Sequence, residues 1–428
     1  MIRTILVLLL VTAAEVRADE PAPPEPTPTP TPPSPGLEER VKKLEAQNQD
    51  LQDRLDALLE DHKLTDQKVT HLLPLEGRIT GYLDFGFFGT QGDGSGIRPD
   101  TGPSRAVVFD SVNSMGKSSF IVNSLNLGLF AGLGETLQLD ASVDFIPRSR
   151  NVSDPAGTFL GDYVDVKLAY AEYRPQFDSF ALSIFAGKFD SVLGVEYRTQ
   201  DAPDRMTVTP SLVCRYTCGR PLGVKARAQF LDQKLVLNAA ITNGSSFSEN
   251  FPFYDELDTN QWKTVSGRLS YRLPIGTKTE IGVSGAFGAQ DFQPEDSVYQ
   301  WHYGFDLRAE LNDVVLMSEF VQGRAKGKTD TVECDIAPCL HYKAAYGLLG
   351  YRATIWFTPY LRVDWRDAVH QSGASFVYIS QLMRATAGMR FEIGEHVILK
   401  AEYTLNRELG GVPQFPDDVF TSAMVVRF

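Results

Sequence analysis

The feature that most constrains the fold is a two-residue alternation of apolar and polar side chains, which continues from about Gly77 to the end of the chain. In LQLDASVDF (137–145) and VYQWHYGFDLRAEL (298–311), apolar residues alternate with polar, charged or small ones. Successive side chains of a β-strand point to opposite faces, so each such segment is expected to form a strand with one apolar and one polar face.

The alternation divides into about sixteen strands, an even number, as in single-chain outer-membrane barrels. We expect them to start near residues 78, 116, 135, 161, 180, 222, 234, 262, 277, 298, 314, 342, 358, 379, 395 and 417. Short turns alternate with long connections at 92–115, 149–160, 191–221, 244–261, 289–297, 325–341, 367–378 and 407–416. Short periplasmic turns opposite long extracellular loops are typical of these barrels. The sequence therefore predicts an all-β transmembrane barrel of about 16 antiparallel strands over residues 77–428.

The chain ends on AMVVRF (423–428), in which Met424, Val426 and Phe428 share one face. We expect this last strand to pair with the first, GRITGYLDFGFF (77–88), and so to remove the open sheet edge that lipid does not tolerate. A mean hydropathy of -0.17 is compatible with such a barrel, because half of each strand faces water.

Three segments precede the barrel. Residues 1–18 have the basic start, short apolar run and small-residue cleavage site of a secretory signal peptide. Residues 19–36 form a proline-rich spacer, which is expected to be extended. Residues 37–64 are predicted to form a short N-terminal α-helical coiled coil in the periplasm.

The coiled-coil prediction depends on apolar residues that recur at alternating steps of four and three. The a and d positions are Leu37, Val41, Leu44, Asn48, Leu51, Leu55 and Leu58. An asparagine at an a position fixes register and oligomer state. The pattern favours a homo-oligomer over a helix that packs on its own protein.

Four cysteines form two local pairs, Cys214/Cys218 and Cys334/Cys339. In an oxidising compartment each pair is expected to form a disulfide. A metal site is the alternative, but the Cys-x3-Cys and Cys-x4-Cys spacings lack a second ligand pair nearby. We therefore predict no metal and no cofactor.

Three segments resemble the phosphate-selective porin O/P family. AGKFDSVLGVEYR (186–198) is similar to its Gly-x-Phe-x-x-x-x-Gly-x-Glu element, and 304–324 and 384–406 resemble later hairpin elements. The resemblance implies a bacterial outer-membrane porin, sixteen-stranded and trimeric, whose third extracellular loop folds inward to narrow the channel. The phosphate-specific members rely on lysines there, whereas residues 191–221 contain none.

The predicted third loop and the adjoining strands carry basic residues that could line a constriction. These candidate lumen residues are Arg198, Arg205, Arg215, Arg220, Lys225, Arg227, Arg268 and Arg384. A ring of charge in a pore selects ions by sign, and arginine geometry suits carboxylate and phosphate. The alternative for each arginine is a salt bridge to a carboxylate on a neighbouring strand.

The most consistent function is a passive diffusion channel for small hydrophilic solutes, with a weak anion preference. The alternative is a structural barrel tethered to the cell wall, that is to peptidoglycan, through its coiled coil. A net charge of -13 argues against a nucleic-acid partner. No catalytic motif is present, so an enzyme is not expected.

Overall fold

The computed structural model of the 428-residue protein describes residues 79–90, 118–145, 164–177, 179–243, 261–276, 278–289, 299–325, 339–372, 375–410, 414 and 418–428. The predicted signal peptide, spacer and coiled coil lie outside these ranges. Among the described residues, no helix has the length and apolar character to cross a bilayer.

Sixteen antiparallel strands form one closed barrel. They are β1 (Ile79–Thr90), β2 (Ser119–Leu133), β3 (Leu137–Phe145), β4 (Val164–Tyr173), β5 (Ala181–Lys188), β6 (Leu222–Phe230), β7 (Leu235–Thr242), β8 (Thr264–Leu273), β9 (Lys278–Ala289), β10 (Tyr299–Leu311), β11 (Val314–Ala325), β12 (Cys339–Tyr351), β13 (Phe357–Ser372), β14 (Ser375–Ile393), β15 (Val397–Glu408) and β16 (Val419–Arg427). Each begins within about four residues of its predicted start, so the predicted barrel is confirmed.

The first and last strands close the barrel as expected. β16 pairs with β1 from Val419 opposite Thr90 to Arg427 opposite Tyr82. Beyond this ladder, the backbone N–H and carbonyl of Phe428 each bond to Gly81 at 3.0 Å. The terminal phenylalanine is thus part of the pairing, and every strand has two neighbours.

The alternation in the sequence separates an outer apolar face from an inner polar face. On β10, Phe305 is 55% exposed on the outside, whereas the adjacent Asp306 is 6% exposed inside. Apolar side chains are exposed outward on most other strands, for example Leu129, Leu237, Ile241, Val265, Ile281, Val283, Leu361, Val363, Met389 and Tyr403. This outer belt is suited to lipid.

One connection differs from the prediction. β13 continues to Ser372 and β14 begins at Ser375, so most of the segment 367–378 that was expected to be a long loop is strand. Residues 376–379 are Phe-Val-Tyr-Ile, whose β-branched and aromatic side chains favour strand over loop.

Candidate functional site: a loop-narrowed lumen

The connection between β5 and β6, residues 189–221, lies inside the barrel. β5 and β6 face β13 and β14 across a ring of sixteen strands. Carboxylates on distant walls accept hydrogen bonds from backbone N–H groups of the loop: Glu319 from Val195 (2.8 Å), Asp364 from Leu212 (3.0 Å), and Glu402 from Val208 and Thr209 (2.8 Å each). The loop therefore crosses the lumen, as the family resemblance implied.

Cations on the same walls bind carbonyl oxygens of the loop. The donors are Lys400 to Ala202, Arg205 and Thr207, Arg390 to Pro203 and Arg205, and Arg362 to Thr209. Buried backbone groups need partners, and a loop away from the sheet has none in a ladder. Side chains of β13, β14 and β15 supply them here.

Aromatic packing fixes the middle of the loop against β12. Tyr216 lies in a short helix, α1 (Cys214–Thr217), and its ring stacks on Tyr342 with centroids 3.8 Å apart. A Cβ on Gly323 would lie 2.2 Å from the Tyr342 ring and hydroxyl, so glycine leaves the space that this ring occupies. Val195 and Val213 add buried apolar contact in the same cluster.

The predicted disulfide Cys214–Cys218 is present, with its Cα atoms 4.8 Å apart. Cys334 lies outside the described residues, so the second pair stays a prediction. The Glu196 carboxylate lies within 4.8 Å of both sulfur atoms, but the sulfurs are bonded to each other and are not metal ligands in this state. Burial raises the pKa of Glu196, which accepts the Ser211 backbone N–H at 2.8 Å.

Arg220 is held by loop carboxylates. Its guanidinium contacts Asp190 at 3.3 Å and Asp201 at 3.1 Å, and Lys167 of β4 lies 2.6 Å from the same Asp201. Burial opposes ionisation of Asp201, but the charges of Lys167 and Arg220 outweigh it and lower its pKa to about 2. Arg220 therefore forms ion pairs, but with carboxylates of its own loop and not with one on a neighbouring strand.

The structure brings several predicted lumen cations together around Glu280 of β9. Arg198 binds both oxygens of this carboxylate, at 3.0 and 3.2 Å, and Arg268 binds one of them at 2.7 Å. Arg272 is directly opposite Glu280 in the β8–β9 register. Arg227 of β6 is opposite Asn238 of β7, which is in turn opposite Arg268 of β8, so Arg227 lies two strands from Arg268 at the same level of the barrel. We call these four arginines and Glu280 the arginine cluster.

The arginine cluster is electropositive. Arg268 also binds Asp306 at 2.5 to 2.9 Å. Lys225 adds another cation beside Arg227, with its ammonium 4.4 Å from the centre of the Phe185 ring. Five cations therefore stand against two carboxylates, which leaves about three positive charges uncompensated within this group.

Three predicted residues lie elsewhere. Arg205 donates to the loop carbonyls of Gln200 (3.1 Å) and Thr207 (3.3 Å). Arg215 is buried in α1, and Arg384 on β14 binds Asn406 at 2.9 Å. They do not belong to the arginine cluster.

Arginines are the more exposed members of two further ion-pair groups. The Arg174 side chain is 53% exposed and its partner Glu172 is 6% exposed. Arg352 is 46% exposed, and Glu310, which it shares with Arg308, is 7% exposed. Water near these pairs therefore faces guanidinium more than carboxylate.

Sequence reasoning missed Glu280, Arg272 and Tyr197. The strand KTEIGVSGAF places Glu280 on the face opposite Ile281 and Val283, so its inward direction was readable. Its partner Arg198 is 82 residues away, which alternation does not reveal.

Residues 137–426 match the sequence profile of a family described as "Putative beta-barrel porin-2, OmpL-like". This match supports the part of the prediction that names a bacterial outer-membrane porin. It does not support membership of the phosphate-selective O/P family, which the motifs resembled. A comparison with curated proteins gave no match.

Solved porin structures share the fold. OmpF of Salmonella typhi in complex with daunomycin superposes with a TM-score of 0.55 at 10% identity, over 82% of this chain and 97% of that chain. The outer membrane channel DcaP of Acinetobacter baumannii gives 0.52 at 11% identity, over 82% and 96%. The trimer form of OmpT from Vibrio cholerae gives 0.50 at 10% identity, over 82% and 98%.

Proposed function

Because this chain belongs to the OmpL-like β-barrel porin-2 family, we propose that it is a passive diffusion channel of the bacterial outer membrane, which admits small hydrophilic solutes with a weak preference for anions. The observation that carries the anion preference is the excess of positive charge in the arginine cluster, on an inner wall of the barrel. A ring or patch of one sign in a narrow pore favours counter-ions.

The loop in the lumen supports a narrow passage. Residues 189–221 contact the walls through Lys167, Glu280, Glu319 and Glu402, which belong to four different strands. Solutes are thereby limited to those that fit between the loop and the wall. Arg198 extends from this loop to Glu280, so the basic patch and the loop belong to one constriction.

The sign of the zero-current potential tests this proposal. Purified mature protein in a planar bilayer, under a potassium chloride gradient, should conduct in discrete steps and give a potential of anion-favouring sign. A cation-favouring sign would overturn the anion preference and leave the channel intact. Absence of conductance from correctly folded barrels would overturn the channel itself.

We propose a homotrimer as the assembly, supported by the heptad pattern of residues 37–64 and by the trimer form of the Vibrio cholerae relative in fold. The proposed domain order is signal peptide 1–18, spacer 19–36, periplasmic coiled coil 37–64 and barrel 77–428.

The proline-rich spacer and heptads favour a second candidate function, a tether from the outer membrane to peptidoglycan. Sedimentation of the mature protein with purified peptidoglycan sacculi tests it. Binding that is lost when residues 19–64 are deleted supports the tether, and no binding by the intact protein overturns it.

A further inference from the structure

Two guanidinium groups of the arginine cluster have no carboxylate bound to them within the part of the chain that the structure describes. Among the residues that the structure describes, Arg227 and Arg272 form no ion pair, and both side chains are partly exposed to the lumen. The Gln229 amide oxygen, a neutral acceptor, accepts hydrogen bonds from the Arg227 guanidinium at 2.9 and 3.2 Å. Both guanidinium groups can therefore accept another anion.

The nearby carboxylate is already committed to other partners. Glu280 receives two hydrogen bonds from Arg198 and one from Arg268. Lys225 donates to the backbone carbonyl of Asp190 at 3.3 Å, and the carboxylates of Asp190 and Glu172 are paired with Arg220 and Arg174 respectively. The groups around Arg227 and Arg272 thus leave a surplus of donors.

Tyr197 adds a hydroxyl group to this surplus. Its hydroxyl oxygen accepts the Nε–H of Arg198 at 3.3 Å, which leaves the hydroxyl proton free to be donated. Its partner Arg198 also binds Glu280 at 3.0 Å, so the Tyr197 hydroxyl lies beside the arginine cluster. Tyr197 follows Glu196, which the wall holds through Glu319, so its position is fixed by the docked loop.

Like charges held near one another repel, and a bound anion would relieve that repulsion. A guanidinium group presents parallel N–H donors that match the two oxygens of a carboxylate or phosphate, whereas chloride has no such geometry. We propose that Arg227, Arg272 and the Tyr197 hydroxyl form a saturable binding site for the oxyanion group of a solute, a carboxylate or a phosphate. This inference rests on the proposed channel function and names the class of solute.

The test uses inorganic phosphate and succinate as separate probes. Each is titrated into the chamber on the short-turn side while potassium chloride current through single channels is recorded. Wild-type current should fall saturably. In Arg227→Gln/Arg272→Gln the half-blocking concentration should rise at least about tenfold, and in Tyr197→Phe by a smaller factor. Block by succinate alone assigns a carboxylate site, and block by phosphate alone assigns a phosphate site.

Arg384→Gln is the matched control, because Arg384 is a buried arginine on the inner face of β14, outside the arginine cluster, and donates to Asn406 at 2.9 Å. It should leave both half-blocking concentrations unchanged. The site would be overturned if the probes blocked the wild type and the double variant at the same concentration. It would also be overturned if Arg384→Gln raised the half-blocking concentration as much as the double variant does. Heat-modifiable gel mobility verifies that each barrel is folded.

Calorimetry of the detergent-solubilised protein with the same probes separates the two proposals. One saturable site per barrel that is lost in the double variant supports the oxyanion site even if no current flows, in which case only the channel function fails. If the protein conducts with the expected anion selectivity but binds neither probe, the oxyanion site is overturned and the channel function stands.

Discussion

Single carboxylates of the barrel wall act as anchors for loop backbone. The two oxygens of Glu402 accept hydrogen bonds from Val208 N–H, Thr209 N–H and the Tyr360 hydroxyl, each at 2.8 Å. Such a residue is polar and buried, yet it is satisfied, because the loop presents N–H donors where a water-filled lumen would present solvent. Charge inside this barrel therefore serves structure as well as permeation.

Glu402→Gln should loosen the loop without unfolding the barrel. The amide replaces one acceptor oxygen with an N–H group that faces donors, which costs about 2 kcal/mol of docking free energy. Hydrogen exchange at Val208 and Thr209 should accelerate roughly thirtyfold. Glu172→Gln is the control, because Glu172 on β4 is also a buried carboxylate of the barrel wall but binds Arg174, which is not part of the loop. Unchanged exchange in Glu402→Gln would contradict the anchor role.

The contacts of Asp201 should resist moderate acid. Its pKa in the folded protein is about 2, below the value near 4 that is usual for aspartate, because Lys167 and Arg220 outweigh burial. A depressed pKa contributes stability that is fully present above about pH 4 and is lost as the pH falls through about 2. We therefore expect the same protection of residues 200–205 at pH 7 and pH 4.5 by hydrogen exchange, with rates corrected for intrinsic pH dependence. Loss at pH 4.5 in wild type but not in Asp201→Asn would refute this assignment.

At the scale of elements, the loop is a folded unit with its own disulfide cross-link, Cys214–Cys218, which we call the staple. The disulfide closes a ring across a sequence separation of 4, α1 lies within that ring, and both cysteines are buried. The wall contacts at Glu319, Asp364 and Glu402 are on other segments, so the staple and the anchors hold different parts of the loop.

The double variant Cys214→Ser/Cys218→Ser should destabilise α1 alone. Closing so small a ring contributes about 2 kcal/mol, if the effect is entropic. We expect faster hydrogen exchange in residues 211–219. The temperature at which the folded barrel loses its gel mobility should be the same as in the wild type. Faster exchange at 206–209 as well would show instead that the staple also supports the Glu402 contacts.

At the scale of the whole molecule, the barrel is complete without the N-terminal region. The first of its sixteen strands begins at Ile79. This strand pairs with the last one, with Tyr82 opposite Arg427, and the pairing closes the barrel. Conductance is accordingly expected to belong to residues 77–428, and self-association in part to residues 37–64.

Deletion of residues 19–64 should leave a folded, conducting barrel. We expect an unchanged single-channel conductance and oligomers that dissociate at a lower temperature in semi-native gels. A variant in which Leu44, Leu51 and Leu58 are replaced by Ser, with full length kept, is the matched control for spacer length. An oligomer as heat-stable as wild type in both proteins would exclude a role for the coil in assembly.

The sequence was most informative about features that the two-residue alternation determines, namely the strands and the face on which each side chain lies. Alternation placed Phe305 outside and Asp306 inside, and it set the strand starts closely, because a one-residue slip would expose every polar side chain to lipid. Partners across the lumen were not predictable. Arg198 and Glu280 meet only because the loop crosses to β9, and neither residue's local pattern contains that path. The partners of Arg220, Asp190 and Asp201, lie in its own loop, whereas the sequence pointed to a partner on a neighbouring strand.

The anchors of the loop also impose an order on assembly. Val208 is bound by a residue 194 positions further along the chain, and Leu212 by one 152 positions further. A chain in which only the first ten strands are paired has the loop and its contacts to β4 and β9, but it lacks the carboxylates of β11, β13 and β15 that bind the loop backbone. Docking of the loop is thus expected to be complete only when β15 is paired, and a barrel without β15 should have a less narrowed lumen.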